Sequence, residues 1–428
     1  MRNAIFYLTY NGIYNFTNGI GTQTRLVLRG LEHMRDRLES QYGTLHFHVV
    51  CPQPDVWTWG YDPTLLQTQE ARVRALGGAI HTLPYKTHPT QELWDVTVWQ
   101  RLSAAAAQVV QQHSAAYDRC LLICVDQPWL QVPRYMTMSL QERRDRVHTL
   151  LVLYNTAFIR NAAAPDATEK AWEHEGLELS EQQDTVSIAD VCPSFTAHLQ
   201  TFFALQHARF APYTSSILVD DEEFTLLDDR HIVATLQRYG IPLDVDLVVA
   251  FGRAAPIKGF EALIPALGNV HKRYHFVLIS VPYPGDPYQH TYDDLLATHC
   301  IPATHIRAFT RELPRALCQW GRTRMVVVPS RQETFSNIPL EVALWARQRG
   351  PVVVTSRVGG FVDQIDDGVN GFFIDITSCQ SMAQTIQHVL ELPETHHTMI
   401  RQQAYQRVVQ RYDFRRNFAQ TLQWFWDR

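Results

Sequence analysis

Short apolar runs alternate with longer amphipathic stretches along most of the chain. The runs are Ala4 to Leu8, Leu45 to Cys51, Cys120 to Val125 and Leu150 to Leu153, then Leu247 to Phe251, Phe276 to Val281, Met325 to Val328 and Val352 to Thr355. Nearly every position in them is apolar, so the period-2 alternation of a half-exposed strand is missing, and both faces must be covered. Between them, apolar residues recur at helical spacing in Gln23 to Leu38, Leu65 to Leu76, Ala262 to Leu267, Leu340 to Trp345 and Met382 to Leu390. The alternation of strand and helix predicts an α/β chain whose parallel sheets lie between helical layers.

Two regions break the rhythm. Arg160 to Asp184 is polar and acidic with one tryptophan, Trp172, and reads as an insertion or mobile excursion. The run Ala-Pro-Tyr-Thr-Ser-Ser-Ile-Leu-Val-Asp-Asp-Glu-Glu-Phe, ending at Phe224, reads as a crossing between domains, with a boundary near Tyr213. A chain of 428 residues is also longer than one core usually holds. The expectation is therefore a first domain over residues 1–212 (with the insertion at 160–184), a second over 213–412, and a C-terminal segment 413–428. That last segment carries Phe414, Phe418, Trp424 and Phe425 and is expected to dock as a helix.

Composition narrows the function. Hydrophobic residues make up 46% and charged residues 19%, which suits packed cores and excludes disorder. The formal net charge of -5 gives the molecule no overall attraction for nucleic acid or anionic lipid. Seven cysteines, an odd number and widely spread, read as reduced core thiols. Cys120 and Cys124 have a metal-like spacing, but Leu121, Leu122 and Ile123 between them make a strand, and no second pair follows. Met1 to Tyr10 reads as a first strand and lacks the parts of a signal peptide, and no apolar run approaches the roughly 20 residues that span a bilayer. A cytoplasmic protein without an integral membrane segment is expected.

Four stretches carry candidate chemistry. In Val326-Val-Val-Pro-Ser-Arg-Gln-Glu-Thr-Phe-Ser-Asn-Ile-Pro-Leu-Glu341 a buried strand ends at Pro329 and a helix begins near Asn337, with Pro339 tolerated in its first turn. The backbone N–H groups from Thr334 to Ile338 would face an anion, and Glu333 and Glu341 would look into one crevice at the sheet's C-terminal edge. Equally, Glu341 suits a role as a helix-dipole partner and Glu333 as a solvated acid. In Leu247-Val-Val-Ala-Phe-Gly-Arg-Ala-Ala-Pro-Ile-Lys-Gly-Phe-Glu261, a strand enters a turn that brings Arg253 and Lys258 to its end, either as a diphosphate clamp or as ordinary surface cations. Between the first strand and first helix, Gly19 and Gly21 allow close approach to a ligand or simply loosen a turn. Gly359-Gly360 forms a tight turn, and the Asp367-Gly368, Asn370-Gly371 turn is structural.

Together these stretches resemble glycosyltransferase family four, the retaining enzymes of GT-B fold, specifically from Val245 to about Asp375 and more weakly over residues 18–31. The carrying motifs are Glu333 and Glu341, Gly252-Arg253 followed by Lys258-Gly259, and Asn18-Gly-Ile-Gly-Thr22. The resemblance implies two Rossmann-like parallel-sheet domains facing across a cleft, with the C-terminal helix docking back on the N-terminal domain. It also implies a nucleotide-diphosphate sugar as donor, held by the C-terminal domain, and no cofactor or divalent metal. Arg253 and Lys258 would bind the diphosphate and, with Glu333 on the transferred sugar, carry the catalysis. Glu341 would hold the ribose. Gly252, Arg311, Thr334, Phe335, Ser336 and Asn337 would complete the donor site, and Gly19 and Gly21 would close over it from the first domain. Three positions depart from the family: Asn18 replaces a glycine, Pro282-Tyr-Pro-Gly-Asp-Pro-Tyr288 follows a strand where glycines are usual, and Ser336 stands where glycine is frequent. These bear on donor identity.

The acceptor is expected to be a polar molecule, either small (a sugar or cyclitol) or a glycan, read by the first domain. Asp126, Asn155 and Thr156 are its candidate contacts, and the Trp- and Tyr-rich segments Gln53 to Tyr61, Lys86 to Trp94 and Asp126 to Tyr135 suit sugar rings or a protein core. Arg143-Arg144-Asp-Arg146 suits a solvated helix face or anionic lipid. Competing readings are a GT-B sugar phosphorylase, a nucleotide-sugar epimerase, and a non-catalytic binding subunit. The protein would act as a monomer or homodimer.

Overall fold

A computed structural model describes residues 1–15, 19–54, 60–86, 93–157, 167–282, 288–308 and 310–427. The chain divides into two compact units, Met1–Leu218 with Phe414–Arg428, and Val219–Asp413. The first crossing thus falls about five residues beyond the expected Tyr213, because Ser215, Ser216 and Ile217 stay bonded within the first unit.

In the first unit seven parallel strands are ordered β3-β2-β1-β4-β5-β6-β7, formed by Arg2–Leu8 (β1), Thr44–Pro52 (β2), Ile80–Leu83 (β3), Arg119–Val125 (β4), Val147–Val152 (β5), Val186–Asp190 (β6) and Phe210–Pro212 (β7). Ile5 stands in register with Phe47 on one side and Leu121 on the other, and all three are fully buried. Each such side chain contributes roughly 1.5 to 3 kcal/mol by leaving water. The first helix, Gly19–Tyr42, is longer than its apolar periodicity suggested. The C-terminal helix Phe414–Trp426 packs on that helix and on β7, within the first unit. It is pinned by Phe414 N–H donating to the Ile217 carbonyl at 2.9 Å and Thr421 Oγ1 donating to the Pro212 carbonyl at 2.6 Å. Gly30 makes the packing possible, since a Cβ there would lie 2.2 Å from the Phe414 ring.

The polar stretch after β5 is no mobile excursion where it is described. It forms helices Ala167–Leu177 and Leu179–Gln182, with Trp172, Leu177 and Leu179 buried. Its acidity misled because the buried Glu173 is used internally: its carboxylate accepts from Ala157 N–H at 2.8 Å and from Gln127 Nε2 at 2.8 Å. The rest of the expected insertion, residues 160–166, lies outside the described residues.

The second unit holds six parallel strands ordered β10-β9-β8-β11-β12-β13, formed by Leu247–Arg253 (β8), His275–Val281 (β9), Ala303–Ile306 (β10), Thr323–Val328 (β11), Val352–Ser356 (β12) and Phe372–Ile374 (β13). Val248, Leu278, Val327 and Val354 lie in its core with Phe260, Ile264 and Ile386 from the covering helices. Both units are thus parallel-sheet, Rossmann-like α/β domains, as the alternation of strand and helix predicts.

No cysteine is in a disulfide. Cys51, Cys120, Cys124, Cys192 and Cys318 are buried, whereas Cys300 and Cys379 are exposed and so depart from the expected core role. Burial pushes the Cys51 thiol up to about 12. Among the described residues no helix is long and apolar enough to cross a membrane.

Candidate active site

Strand order locates the site in the second unit. From β8 the chain steps outward to β9 and β10, then returns to lay β11 against the other side of β8. Loops leaving the C-terminal ends of β8 and β11 therefore diverge, opening the crevice where such sheets bind ligands. The two loops carry the sequence-predicted cations and carboxylate.

They are zipped together. Gly259 adopts a left-handed conformation (φ 69°), and a Cβ on it would lie 2.1 Å from the Pro329 carbonyl oxygen, so only glycine fits. Arg331 N–H donates to the Ile257 carbonyl at 2.8 Å, and the Arg331 guanidinium forks onto Glu261 Oε1 at 2.9 and 3.0 Å. Lys258 Nζ reaches Glu333 Oε2 at 2.7 Å, with Ser330 Oγ 3.4 Å from the same oxygen. Arg253 ends β8, partly buried. Gly252 has room to spare, a Cβ there meeting only Phe260 at 3.6 Å.

The Glu333 turn is backed by the next loop. Gly360 N–H donates to the Thr334 carbonyl at 3.0 Å, and a Cβ on Gly359 (φ 47°) would fall 1.6 Å from the Glu333 carbonyl oxygen. Thr334 and Phe335 are buried, the Phe335 ring standing 5.6 Å from Tyr412. Asn337 immediately precedes the helix Ile338–Trp345. The amide row is less open than the sequence suggested: Ile338 N–H donates to Ser336 Oγ at 3.3 Å, and the Ser336 carbonyl accepts from Gln364 Nε2 at 2.7 Å.

Glu341 belongs to a different charge group from Glu333. Arg311 pairs with Glu223, and both act on Glu341. Burial, then the Glu223 carboxylate, pushes the Glu341 carboxyl up to about 7, with the Arg311 guanidinium opposing. Its folded state thus favours the protonated form, an advantage complete below the ordinary carboxylate range and lost as pH rises through about 7. Glu341→Gln should raise the thermal midpoint at pH 8 by roughly 5 °C and leave it unchanged at pH 5, read by scanning calorimetry at both pH values. Equal shifts at the two pH values would count against the raised carboxyl.

In the first unit, the corresponding divergence lies between β1 and β4. Asp126 follows β4 with φ 64° and ψ −172°, a conformation usually left to glycine. It is held by Tyr154 N–H at 2.7 Å and approached by Tyr10 Oη at 3.4 Å. Asp126 and Thr156 are fully buried, so of the three acceptor candidates Asn155 alone has exposed surface. The Asp126 carboxylate serves the Tyr154 backbone, and Asn155 Oδ1 accepts from Thr156 N–H at 3.0 Å. Gly21 also has a packing reason, with Asn11 Oδ1 2.3 Å from where its Cβ would stand, whereas Gly19 opens the first helix with nothing within 4 Å. Asn18, residues 283–287, and parts of the aromatic segments (55–59 and 87–92) lie outside the described residues.

Sequence reasoning missed Glu223, Arg331 and Glu173. Each acts across 40 or more residues of sequence or from a segment read as linker or insertion, so no local pattern marks it. Among the described residues no group of three or more His, Cys, Asp or Glu side chains is placed to hold a metal.

A cation and a carboxylate pinned together at the switch point of a parallel sheet suit a polyanionic nucleotide, and similarity to known proteins narrows the class. Residues 234–407 match the family described as glycosyl transferases group 1. The match falls within the second unit. The chain is also similar to the D-inositol 3-phosphate glycosyltransferase of Corynebacterium kroppenstedtii, 26% identical over 54% of this chain and 51% of that protein. The chain therefore spans about half the length of that relative. Over the whole fold, the chain resembles sucrose-phosphate synthase from Thermosynechococcus elongatus (TM-score 0.72, 14% identity, 99% and 96% of the two chains covered). It likewise resembles HepE of Anabaena solved with UDP-glucose (TM-score 0.68, 17% identity, 98% of each chain covered).

Proposed function

We propose that the protein is a retaining, metal-independent glycosyltransferase that moves a sugar from a UDP- or GDP-sugar to a hydroxyl of a polar acceptor. The Lys258–Glu333 pair, locked at the β8/β11 switch point, carries this reading. An incoming diphosphate competes for Lys258 and frees Glu333 for the hydroxyls of the transferred sugar. Arg253 supplies the second cation, and Glu341 accepts from the ribose. The relative named for glycosyl transfer to inositol 3-phosphate, and the neighbour that holds UDP-glucose, support both substrate classes.

In the reaction, the bond from the sugar's anomeric carbon to the diphosphate oxygen breaks with its electron pair going to the diphosphate. The acceptor oxygen bonds to that carbon on the same face, and its proton passes to the departing phosphate oxygen. In this reading Arg253 and Lys258 stabilise the charge that develops on the leaving group.

Calorimetric titration of the whole protein with UDP and with GDP tests the donor assignment. One of the two is expected to bind, and Arg253→Ala should weaken that binding by roughly tenfold or more, as loss of a charged hydrogen bond implies. Failure of both nucleotides to bind would remove the assignment.

A further inference from the structure

Near the end of β9, three side chains link two strands and a helix within the second unit. Ser280 Oγ lies 2.6 Å from Nε2 of His305 on β10, and His305 Nδ1 lies 2.7 Å from Oδ1 of Asp293 on the helix Tyr288–Thr298. A carboxylate only accepts, so Nδ1 carries the proton, Nε2 presents its lone pair, and the Ser280 hydroxyl donates. Burial pushes the His305 imidazole down to about 4, which keeps the ring in that neutral form near pH 7. The other oxygen of Asp293 pairs with Arg307, and Tyr292, fully buried, stands 6.3 Å from the imidazole. The same order of groups activates a serine whose hydroxyl meets a substrate, but Ser280 is fully buried. These bonds hold a backbone in place.

Which backbone follows from the register. Gly252 stands opposite Ser280 and Arg253 opposite Val281, and the Val281 carbonyl accepts from Ala254 N–H at 2.9 Å. On its other side β8 is in register with β11 at Leu247, Val248 and Val249, and β9 is in register with β10 from Phe276 to Ile279. Among the described residues neither ladder reaches further, so the last two pairs, Gly252 with Ser280 and Arg253 with Val281, lack the support of a third strand. The Ser280–His305 bond supplies a tie there. We infer that Ser280, His305 and Asp293 are positioning residues for Arg253: their relay fixes the end of β9, and through it the end of β8, so that the guanidinium meets the donor diphosphate. This rests on the reading of Arg253 as a diphosphate ligand.

The alternative is a polar tie that stabilises the sheet and nothing more. Calorimetric titration of the full-length protein with UDP and with GDP, with a thermal melt of each sample, separates the two. For whichever nucleotide the wild type binds, Ser280→Ala should weaken affinity roughly fivefold, and Asp293→Ala, which releases the His305 ring, by a similar factor. Ser280→Thr keeps the hydroxyl and should stay within about twofold of wild type, even where its extra methyl lowers the melt. Thr304→Val removes the 2.9 Å His275–Thr304 bond at the other end of the same strand pair and should leave affinity unchanged. In an Arg253→Ala background, Ser280→Ala should weaken binding by less than about twofold more, because the group it positions is gone. Affinity that follows the melting temperature instead of the hydroxyl, or a Ser280→Ala effect that persists undiminished without Arg253, overturns the relay and leaves the donor reading standing. If neither nucleotide binds the wild type, the donor reading falls and the relay falls with it. Should Ser280→Ala fail to fold, the partly exposed Asp293 decides: an Asp293→Ala protein that binds nucleotide as the wild type does sinks the proposal.

Discussion

Lys258→Ala should lower kcat by about 10²- to 10³-fold, the usual effect of removing one preorganised contact to charge that develops in the transition state. The argument depends on place. Lys258 is set by the 3₁₀ turn Pro256–Lys258 and the left-handed Gly259, which together aim its ammonium across the switch point at Glu333. Stability should barely move, because a partly exposed ion pair contributes only about 0 to 1 kcal/mol. Rate and stability are thereby separable. A single-turnover assay with donor and acceptor, alongside a thermal melt, reads both. Activity within a few-fold of wild type would place the diphosphate elsewhere.

The second large effect is steric. Gly359→Ala puts a Cβ 1.6 Å from the Glu333 carbonyl oxygen at a backbone φ of 47°, and the contacted atom is backbone, which cannot swing away. Either the Glu333 turn or the Gly359 turn must shift, and a displacement near 1 Å at a reacting group is enough to cost about 10²-fold in rate. The thermal midpoint should fall by roughly 10 °C and nucleotide affinity should fall with it. Gly368→Ala is the control. Its φ of 73° is similarly unfavourable, but nothing lies within 4 Å of its Cβ, so it should lose about 1 kcal/mol and leave nucleotide binding alone. If the two variants behave alike, the clash is not what matters.

The sequence was informative where burial is uniform and local. β1, β2, β4, β5, β8, β9, β11 and β12 are largely apolar runs covered on both faces, and each was legible to within about three residues. β3, β6, β7, β10 and β13 were not seen. Four of these are the edge strands of the two sheets and are short or polar, as in Ala303-Thr-His-Ile306, and their partners stabilise them more than their own pattern does. β6 is well buried but broken by Ser187, and it follows the acidic stretch that disguised it. Helix starts were read late because Gly19 to Thr22 and Cys379 to Ser381 carry little apolar signal.

The donor candidates show the same division. Arg253, Lys258 and Glu333 can be singled out from sequence because each stands at or after the end of a strand in a short motif, and the fold pairs Lys258 with Glu333. That Glu341 would share its surroundings with Arg311 and Glu223 depends on three segments meeting in space, which no spacing rule carries. Asp126 was picked for its position after β4, but whether it faces a ligand or the backbone was decided by Tyr154 N–H and its φ of 64°.

The return of Phe414–Trp426 to the first unit makes that unit discontinuous along the polypeptide. On the ribosome, residues up to Leu218 emerge long before the helix that covers β7 and the Gly19–Tyr42 helix, so the first unit cannot finish packing until the second has been synthesised. Until then an apolar groove waits for Phe418, Leu422 and Phe425, and nascent chains stalled short of residue 414 should be the ones that engage chaperones.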